Sequence, residues 1–258
     1  MWRFWALAAA AVLCAMPSLA DPAAAEPARP AITVFAAADL AFAFEEMVPL
    51  FEQRSGARVT LVLGSSGTLA RQIEHGAPAD VFFAADAGFV DRLVGGGALI
   101  PETRALYAQG RLVLATAKAF GSKLTDLRDL LDPRVRHVAI ANPLHAPYGR
   151  AAEQALRRLD LWAAVRPKLI YGENVQQALQ FVRGGGVAAG IIARSIANVP
   201  QIEWTMVDPA LHAPLNQAAA VVRRSPRPDL GAAFVRFVTG PEGRAVMKRH
   251  GFLLPGEF

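Results

Sequence analysis

Short apolar strands alternate with amphipathic helices along most of this chain, and this alternation restricts the possible folds more than any other feature of the sequence. An apolar, β-branched run lies at 31–35, apolar residues at helical spacing follow at 40–53, and the next strand pattern lies at 59–63. Strands that alternate with helices form mainly parallel sheets with helices on both faces. The pattern therefore predicts an α/β protein with parallel-rich sheets flanked by helices.

The same alternation continues towards the carboxyl terminus. The sequence predicts further strands at 81–84, 112–115, 137–140, 169–171, 187–192 and 218–222. It predicts further helices at 67–74, 89–94, 126–131, 149–159, 175–183, 229–238 and 241–249. Two lobes of about 110 residues lie closer to the usual size of a domain than one core for the whole chain. We therefore predict two α/β lobes.

The first twenty residues have the pattern of a secretory signal peptide. Arg3 precedes an apolar run at 4–16, and the small residues Ser18 and Ala20 precede Asp21. The run is shorter than the ~20 residues that a membrane-spanning helix needs. We expect cleavage after Ala20 and export to the periplasm, and the alternative is an uncleaved membrane anchor. The proline- and alanine-rich residues 21–30 predict a flexible leader.

The composition excludes several classes of protein. Apolar residues make up 53% of the chain and charged residues 19%, which excludes a disordered chain. The single cysteine, Cys14, lies within the predicted signal peptide, so the chain is not a disulfide scaffold. The 27 basic and 22 acidic residues include no run of Lys and Arg longer than two. Such dispersed charge predicts no nucleic-acid partner.

Five strand-to-helix corners are the candidate ligand-binding positions, because open α/β sheets bind ligands beyond the carboxyl ends of their strands. The corners lie at 36–39, 64–68, 142–149, 172–175 and 193–195. Their small residues, hydroxyls and glycines let backbone N–H groups approach a ligand. The helix after each corner has unpaired N–H groups and a positive partial charge in its first turn. Several such helix ends that converge bind an anion without a formal positive charge.

Single corners also have simpler explanations. The serines of Gly64-Ser65-Ser66-Gly67, and Asp39 before the helix that starts near residue 40, fit ordinary helix N-caps. The five histidines form no i,i+4 pair and no Cys/His cluster, so no zinc site is predicted. The Gly-x-Ser-x-Gly elbow of hydrolases is absent from the sequence.

At these corners the sequence resembles the periplasmic molybdate-binding proteins, the solute receptors of ABC importers. The resemblance runs from about Ile32 to the carboxyl terminus. Its motifs, in family order and spacing, are ITVFAAA at 32–38, SSGTLARQI at 65–73, GAPADVFFAAD at 76–86, NP at 142–143, APYG at 146–149, ENV at 173–175 and the stretch from Gly240-Pro241 to Gly251-Phe252. The resemblance implies a type II periplasmic-binding-protein fold with a hinged cleft between lobe 1 (31–113 plus 218–258) and lobe 2 (114–217).

The resemblance also implies a function and a set of site residues. The implied receptor binds molybdate, and tungstate, through neutral hydrogen bonds and helix N-termini, and delivers it to an ABC permease at the membrane. The implied contacts are Ala38, Asp39, Ser66, Tyr148 (backbone N–H and hydroxyl) and Val175 (backbone), with Ser65 and Gly67 as secondary candidates. We expect a monomer without a cofactor, a free metal cation or enzymatic activity.

Asp39 departs from the family pattern, which has a neutral Ser or Asn at this position. Two unit charges ~4 Å apart interact by about 4 kcal/mol at an effective dielectric of ~20, so a carboxylate next to a dianion would cost about 8 kcal/mol. Three arrangements avoid this cost. Asp39 is protonated when the ligand is bound, or its carboxylate turns back as a helix N-cap, or the ligand is not a tetrahedral dianion.

Two other hypotheses stay open from the sequence. In the first, Asp39, His145, Tyr148 and Glu173 together bind a metal cation or a cationic solute. In the second, the chain is a secreted enzyme that uses Asp39 and His145 as acid and base. Stabilisation by a metal that a chelator abolishes would favour the first, and turnover of a solute would favour the second.

Overall fold

The computed structural model of this protein describes Trp2 and residues 29–258. Apart from Trp2, the predicted signal peptide lies outside the described residues, as does the predicted leader up to residue 28. In the part of the chain that is described, no helix combines the length and the apolar character needed to cross a bilayer.

Two five-stranded sheets form the framework of the described chain. The strands of the first sheet are β1 (Ala31–Ala37), β2 (Arg58–Gly64), β3 (Val81–Ala84), β4 (Ala105–Gly110) and β10 (Leu215–Val221). Those of the second are β5 (Leu112–Ala117), β6 (Val138–Ala141), β7 (Leu169–Gly172), β8 (Ala189–Ala193) and β9 (Ile202–Met206). The strand orders are β2-β1-β3-β10-β4 and β7-β6-β8-β5-β9.

Both sheets are mixed. Strand β1 pairs in parallel with β2 and β3, and β6 pairs in parallel with β7 and β8. Strand β10 runs antiparallel to β3 and β4, and β5 runs antiparallel to β8 and β9. The reason is that β5 and β10 are the first strands after the chain crosses between the sheets. Each enters its sheet at the edge where the parallel strands end, so it must run away from that edge.

The helices cover the faces of the sheets, as the alternation predicts. They are α1 (Ala41–Ser55), α2 (Ser66–Glu74), α3 (Ala87–Gly95), α4 (Pro147–Arg158), α5 (Trp162–Val165), α6 (Val175–Arg183), α7 (Pro228–Thr239) and α8 (Pro241–Arg249). One predicted helix differs: the segment at 126–131 forms a 3₁₀ helix, Leu127–Leu131, whose N-cap is Asp126. Strands β4 and β9, which the sequence did not predict, lie at the edges of their sheets.

Two lobes result, and this confirms the predicted α/β architecture. The first lobe has an aromatic core in which the ring of Phe44 meets those of Phe83 and Phe234 edge to face, at centroid distances of 5.0 and 5.6 Å. The sheets change where β5 begins at Leu112 and where β10 begins at Leu215, slightly before the predicted limits at 114 and 218. The division into separately moving lobes at 113 and 217 stays a prediction.

Candidate functional site

A small pocket lies where the carboxyl ends of strands from both sheets meet. The space between its lining residues, including its open mouth, is about 200 Å³. Four of the five predicted corners contribute to its lining, which consists of Ala37, Ala38, Asp39, Gly64, Ser65, Ser66, Ala85, Ala146, Pro147, Tyr148, Asn174 and Val175. A larger groove of about 890 Å³ beside α4 is open to solvent, and none of these corners lines it. We therefore take the smaller pocket, which is called the cavity below, as the candidate site.

The structure brings nearly all of the predicted site residues together at this cavity. Those that line it are Ala38, Asp39, Ser65, Ser66, Tyr148 and Val175. The secondary candidate Gly67 is placed differently, because its N–H is donated to the carbonyl of His145 at 2.9 Å. That N–H is therefore engaged between the lobes in this structure and is not directed at a ligand.

Ser66 is the first residue of α2 and is fully buried. Its Oγ accepts the backbone N–H of Ala85 at 2.9 Å, and none of the described residues accepts its hydrogen. The helix is capped by the preceding residue instead, since the Ser65 Oγ accepts the N–H of Thr68 at 3.4 Å. Ser65 thus has the N-cap role that the sequence allowed for either serine. Ser66 is left with a free hydroxyl donor at the cavity.

Helix N-termini surround the cavity on three sides. Helices α2, α4 and α6 begin at the lining residues Ser66, Pro147 and Val175. The first N–H groups of a helix have no acceptor within the helix, and the helix dipole adds a positive partial charge at this end. At α6 the Asn174 side chain caps the N–H groups of Gln176 and Gln177, so the backbone of Val175 is the part of this turn that remains for a ligand.

The carboxyl group of Asp39 lies inside the site and does not cap a helix. Asp39 belongs to a 3₁₀ turn, Ala38–Leu40, and α1 starts after Leu40 without a side-chain cap. Its Oδ2 accepts hydrogen bonds from the Tyr148 hydroxyl at 2.9 Å and from Gln217 Nε2 at 2.7 Å. Its Oδ1 is buried and has no partner among the described residues. The N-cap interpretation of Asp39 is therefore wrong, because two buried donors hold the carboxyl group.

Burial raises the pKa values of Asp39, Tyr107 and Tyr148. Removal from water raises the pKa of Asp39 from its ordinary value of 3.8 to about 6, against the opposing effect of the hydrogen bonds from Gln217 and Tyr148. Burial, and then the charge of Asp39, raises the pKa of Tyr107 and of Tyr148 well above the ordinary value of 10.0. Both tyrosine hydroxyls are consequently protonated at neutral pH.

Gln217 forms a buried polar cluster with Asp39 and Tyr148, and the sequence did not predict its role. It is fully buried in β10, next to a bulge between Gln217 and Ala218. Its Nε2 also lies 3.2 Å from the Tyr148 hydroxyl oxygen, so it contacts both other members. The two amides Asn216 and Gln217 within the otherwise apolar segment 215–222 were the available signal. The cluster therefore joins the corner after β1, the first turn of α4 and the strand that returns between the lobes.

The residues of the cation hypothesis do not converge. Asp39 bonds to Tyr148, whereas His145 Nδ1 lies 2.8 Å from Ser65 Oγ and His145 Nε2 lies 3.6 Å from Glu173 Oε2. Within the described ranges, no group of three or more His, Cys, Asp or Glu side chains is placed to hold a metal ion. Asp39 and His145 also bond to different groups, so the acid–base pair of the enzyme hypothesis is not assembled.

Direct contacts join the two lobes around the cavity. Besides the Gly67–His145 backbone hydrogen bond and the Asp39–Tyr148 hydrogen bond, Arg150 Nη2 of α4 lies 2.5 Å from Asp86 Oδ2 at the start of α3. The last pair is partly exposed to solvent, so it contributes little to stability by itself. Together these contacts describe a closed arrangement of the lobes.

Comparison with known proteins shows which protein family this chain resembles. A family model described as bacterial extracellular solute-binding protein matches residues 32–253. The molybdate-binding protein ModA of Rhodobacter capsulatus is 32% identical over 248 residues, which is 95% of this chain and 96% of that protein. The molybdate-binding protein ModA of Escherichia coli (strain K12) is 33% identical over 232 residues, which is 86% of this chain and 89% of that protein.

A solved structure agrees with these sequence relationships. The Azotobacter vinelandii periplasmic molybdate-binding protein superimposes with a TM-score of 0.80 at 29% identity, and the match covers 87% of this chain and 99% of that chain. The similarity therefore extends over both lobes and over the corners that line the cavity.

Proposed function

The chain belongs to the bacterial extracellular solute-binding proteins, and from that premise we propose that it is an extracytoplasmic receptor for molybdate. The observation that carries the proposal is the pocket between the lobes at which three helices begin, whose lining residues include no lysine and no arginine. A small oxyanion would be held there by neutral donors and by the ends of three helices. The family consists of solute-binding proteins, and this accords with a receptor rather than an enzyme.

The donors available at the cavity fit an oxyanion. The free hydroxyl of Ser66, the backbone of the Ala38–Asp39 corner and the first-turn N–H groups of Tyr148 and Val175 supply hydrogen bonds from both lobes. The Tyr148 hydroxyl is engaged with Asp39, so we propose that Tyr148 contributes its backbone N–H alone. Because molybdate and tungstate have nearly the same size and charge, the same donors would accept both.

The proposal also covers where the protein acts and how it passes on its ligand. Relatives named as molybdate-binding proteins cover nearly the full length of this chain. We propose that the exported protein, cleaved after Ala20, acts in the periplasm as a monomer and delivers its ligand to an ABC permease. Neither a nucleic acid nor a cofactor takes part in this function.

Calorimetric titration of the chain from residue 21 tests the proposal. We expect saturable binding of one molybdate per chain, with tungstate as an effective competitor and sulfate as a weaker one. Binding to the native state alone should also raise the thermal midpoint, since a ligand at one hundred times its Kd stabilises by about 2.7 kcal/mol. No response to molybdate or tungstate at any pH from 5 to 8 would refute the receptor function.

A pair of serine variants tests whether the ligand binds in the cavity. Ser66→Ala removes the free hydroxyl donor, and the loss of a buried hydrogen bond of about 1–3 kcal/mol should weaken molybdate binding by about 5- to 150-fold. Ser55→Ala is the matched control, because Ser55 Oγ donates to Phe51 O at the end of α1, outside the cavity lining. Equal affinity of both variants would remove Ser66 from the site.

A further inference from the structure

Asp39 brings an acidic group to the site that we propose for a dianion, and its hydrogen bonds give its two oxygens different roles. Oδ2 accepts from the Tyr148 hydroxyl at 2.9 Å and from Gln217 Nε2 at 2.7 Å. Oδ1 is buried without a partner among the described residues, and Asp39 lines the cavity. One oxygen is thus occupied by protein donors, and the other has no donor among the described residues.

This arrangement determines which oxygen would bear a proton. A protonated carboxyl group has one oxygen that only accepts hydrogen bonds and one O–H that donates. Since two donors already hold Oδ2 as an acceptor, the proton belongs on Oδ1. A carboxylic acid held in this way would add one more neutral donor to the lining residues, which already include Ser66.

We propose that the oxyanion is bound by the protonated form of Asp39, with Oδ1–H donating to the ligand, so that capture of one dianion takes up one proton from solvent. The proposal rests on the proposed receptor function and adds the regulation of the same site by pH. The reaction balances as carboxylate, proton and dianion giving a complex of the carboxylic acid with the dianion. No other bond is formed or broken.

The hydrogen-bonding neighbours of Asp39 carry no positive charge, and burial outweighs the hydrogen bonds that favour its ionised form. Tyr107 of β4 and Tyr148 of α4 are neutral, and Gln217 of β10 carries no charge. Burial raises the pKa of Asp39 to about 6 before any ligand is present. A bound dianion is a further negative charge close by, and such a charge raises the pKa of a carboxyl group again.

The charged side chains on the remaining neighbouring elements are directed elsewhere. On the 3₁₀ turn after β8, the Arg194 guanidinium stacks over the Trp204 ring at 4.2 Å from its centroid. Before α6, Glu173 is largely exposed and lies beside His145. On α1, Glu45 is exposed and Glu46 pairs with Arg249 and His250. None of these is a partner of the Asp39 carboxyl oxygens in the hydrogen bonds and ion pairs of the described chain.

Proton uptake is measured directly on the unaltered protein. Molybdate is titrated calorimetrically in two buffers of different ionisation enthalpy, at pH 5.0 and at pH 7.5. With a group that titrates near 6 in the free protein, the uptake should be close to one proton per ligand at pH 7.5 and about 0.1 at pH 5.0. The Kd should be nearly constant below pH 6 and should rise about tenfold between pH 7 and pH 8.

The variant Asp39→Asn mimics the protonated acid. Its amide oxygen would accept from Tyr148 and Gln217, and its amide nitrogen would supply a permanent donor in place of Oδ1. We expect no proton uptake at pH 7.5, a Kd that is constant from pH 5 to pH 8, and binding about a hundredfold tighter than that of the wild type at pH 8.

The possible outcomes separate the two proposals. Molybdate binding by the wild type without proton uptake at pH 7.5, or an equal pH dependence of the wild type and Asp39→Asn, overturns the role of protonated Asp39 and leaves the receptor function standing. No binding of molybdate by either protein at any pH overturns both. The buffer comparison on the wild type decides the question even if the variant does not fold.

Discussion

Asp39 is the residue at which folding and ligand binding both favour an uncharged side chain in this protein. Its side chain is almost completely buried, and two hydrogen bonds compensate one of its oxygens. The unpartnered Oδ1 leaves the ionised form poorly solvated, which is why burial dominates the rise of its pKa. The ligand-free protein therefore carries a destabilising carboxylate at neutral pH.

The stability of the ligand-free protein should reveal this carboxylate. Asp39 ionises near its ordinary value of 3.8 in the unfolded chain and near 6 in the folded protein. Between these values the folded state holds a proton that the unfolded state has lost, so stability falls as pH rises through this window and stays reduced above it. Asp39→Asn should therefore exceed the wild type by on the order of 3 kcal/mol at pH 8 and by less than about 1 kcal/mol at pH 4, measured by chemical denaturation.

The control for this comparison is Asp160→Asn. Asp160 is exposed and has a positive φ of 58°, which asparagine also tolerates. This variant should show the same difference from the wild type at both pH values. A stability gain of Asp39→Asn that is equal at pH 4 and pH 8 would contradict the burial of an ionisable carboxyl group.

Local sequence was sufficient to predict most of the cavity lining but not its polar cluster. Hydrophobic periodicity predicts the strand-to-helix corners at which Ser65, Ser66, Tyr148 and Val175 lie, whereas their selection as site residues came from the resemblance to the molybdate-binding proteins. Gln217 lies within a strand, and its contact with Asp39 depends on a bulge and on pairing with a distant segment. The direction of the Asp39 carboxyl group depends on the same tertiary contacts, so the N-cap interpretation failed.

At the scale of elements, the start of α2 and the loop before α4 meet closely enough to control closure. A Cβ atom on Gly67 would lie 2.6 Å from the carbonyl oxygen and 3.0 Å from the Cα of His145. Both are backbone atoms, so the loop itself would have to move. Glycine at this position is therefore needed for the approach of the two lobes, whereas helix α2 alone would tolerate alanine.

Gly67→Ala should consequently weaken ligand binding without unfolding the protein. We expect the Kd for molybdate to rise at least about tenfold, which corresponds to about 1.4 kcal/mol, while the midpoint of ligand-free unfolding changes little. Gly95→Ala is the matched control, since a Cβ at this position of α3 meets no atom within 4 Å. Unchanged affinity of Gly67→Ala would show that the lobes do not need this contact when they bind ligand.

The elements that the sequence missed share a physical reason. Strands β4 and β9 are edge strands, and each lies beside a crossover between the sheets. Neither forms a separate apolar run, because β9 has a mixed sequence and β4 ends in Gln109 and Gly110 directly before β5. The edge strands β2 and β7 were predicted, as were the inner strands and the longer helices, because their apolar residues form distinct runs.

At the scale of the whole molecule, the closed arrangement encloses polar groups that lack protein partners. These include Asp39 Oδ1, and burial of an unpaired polar group is unfavourable. A ligand would satisfy such groups in the closed form, and water would satisfy them in an open form. A bound ligand should therefore shift the lobes further towards the closed arrangement that the ligand-free protein already populates.

Small-angle X-ray scattering of the chain from residue 21 measures this change. Addition of saturating molybdate should lower the radius of gyration, and it should not do so in Gly67→Ala at a concentration that saturates the wild type. A radius of gyration that is identical with and without bound molybdate would contradict the hinged closure of the lobes.

The path of the chain between the sheets also governs the order in which the protein can be completed during secretion. Strand β10 lies between β3 and β4 in the first sheet, although it follows all strands of the second sheet in sequence. In a chain that is completed amino end first, the second lobe has all its strands before the first lobe acquires β10. Until then β3 and β4 have no strand between them, so the newly exported chain exposes unpaired sheet edges that favour aggregation or call for a chaperone.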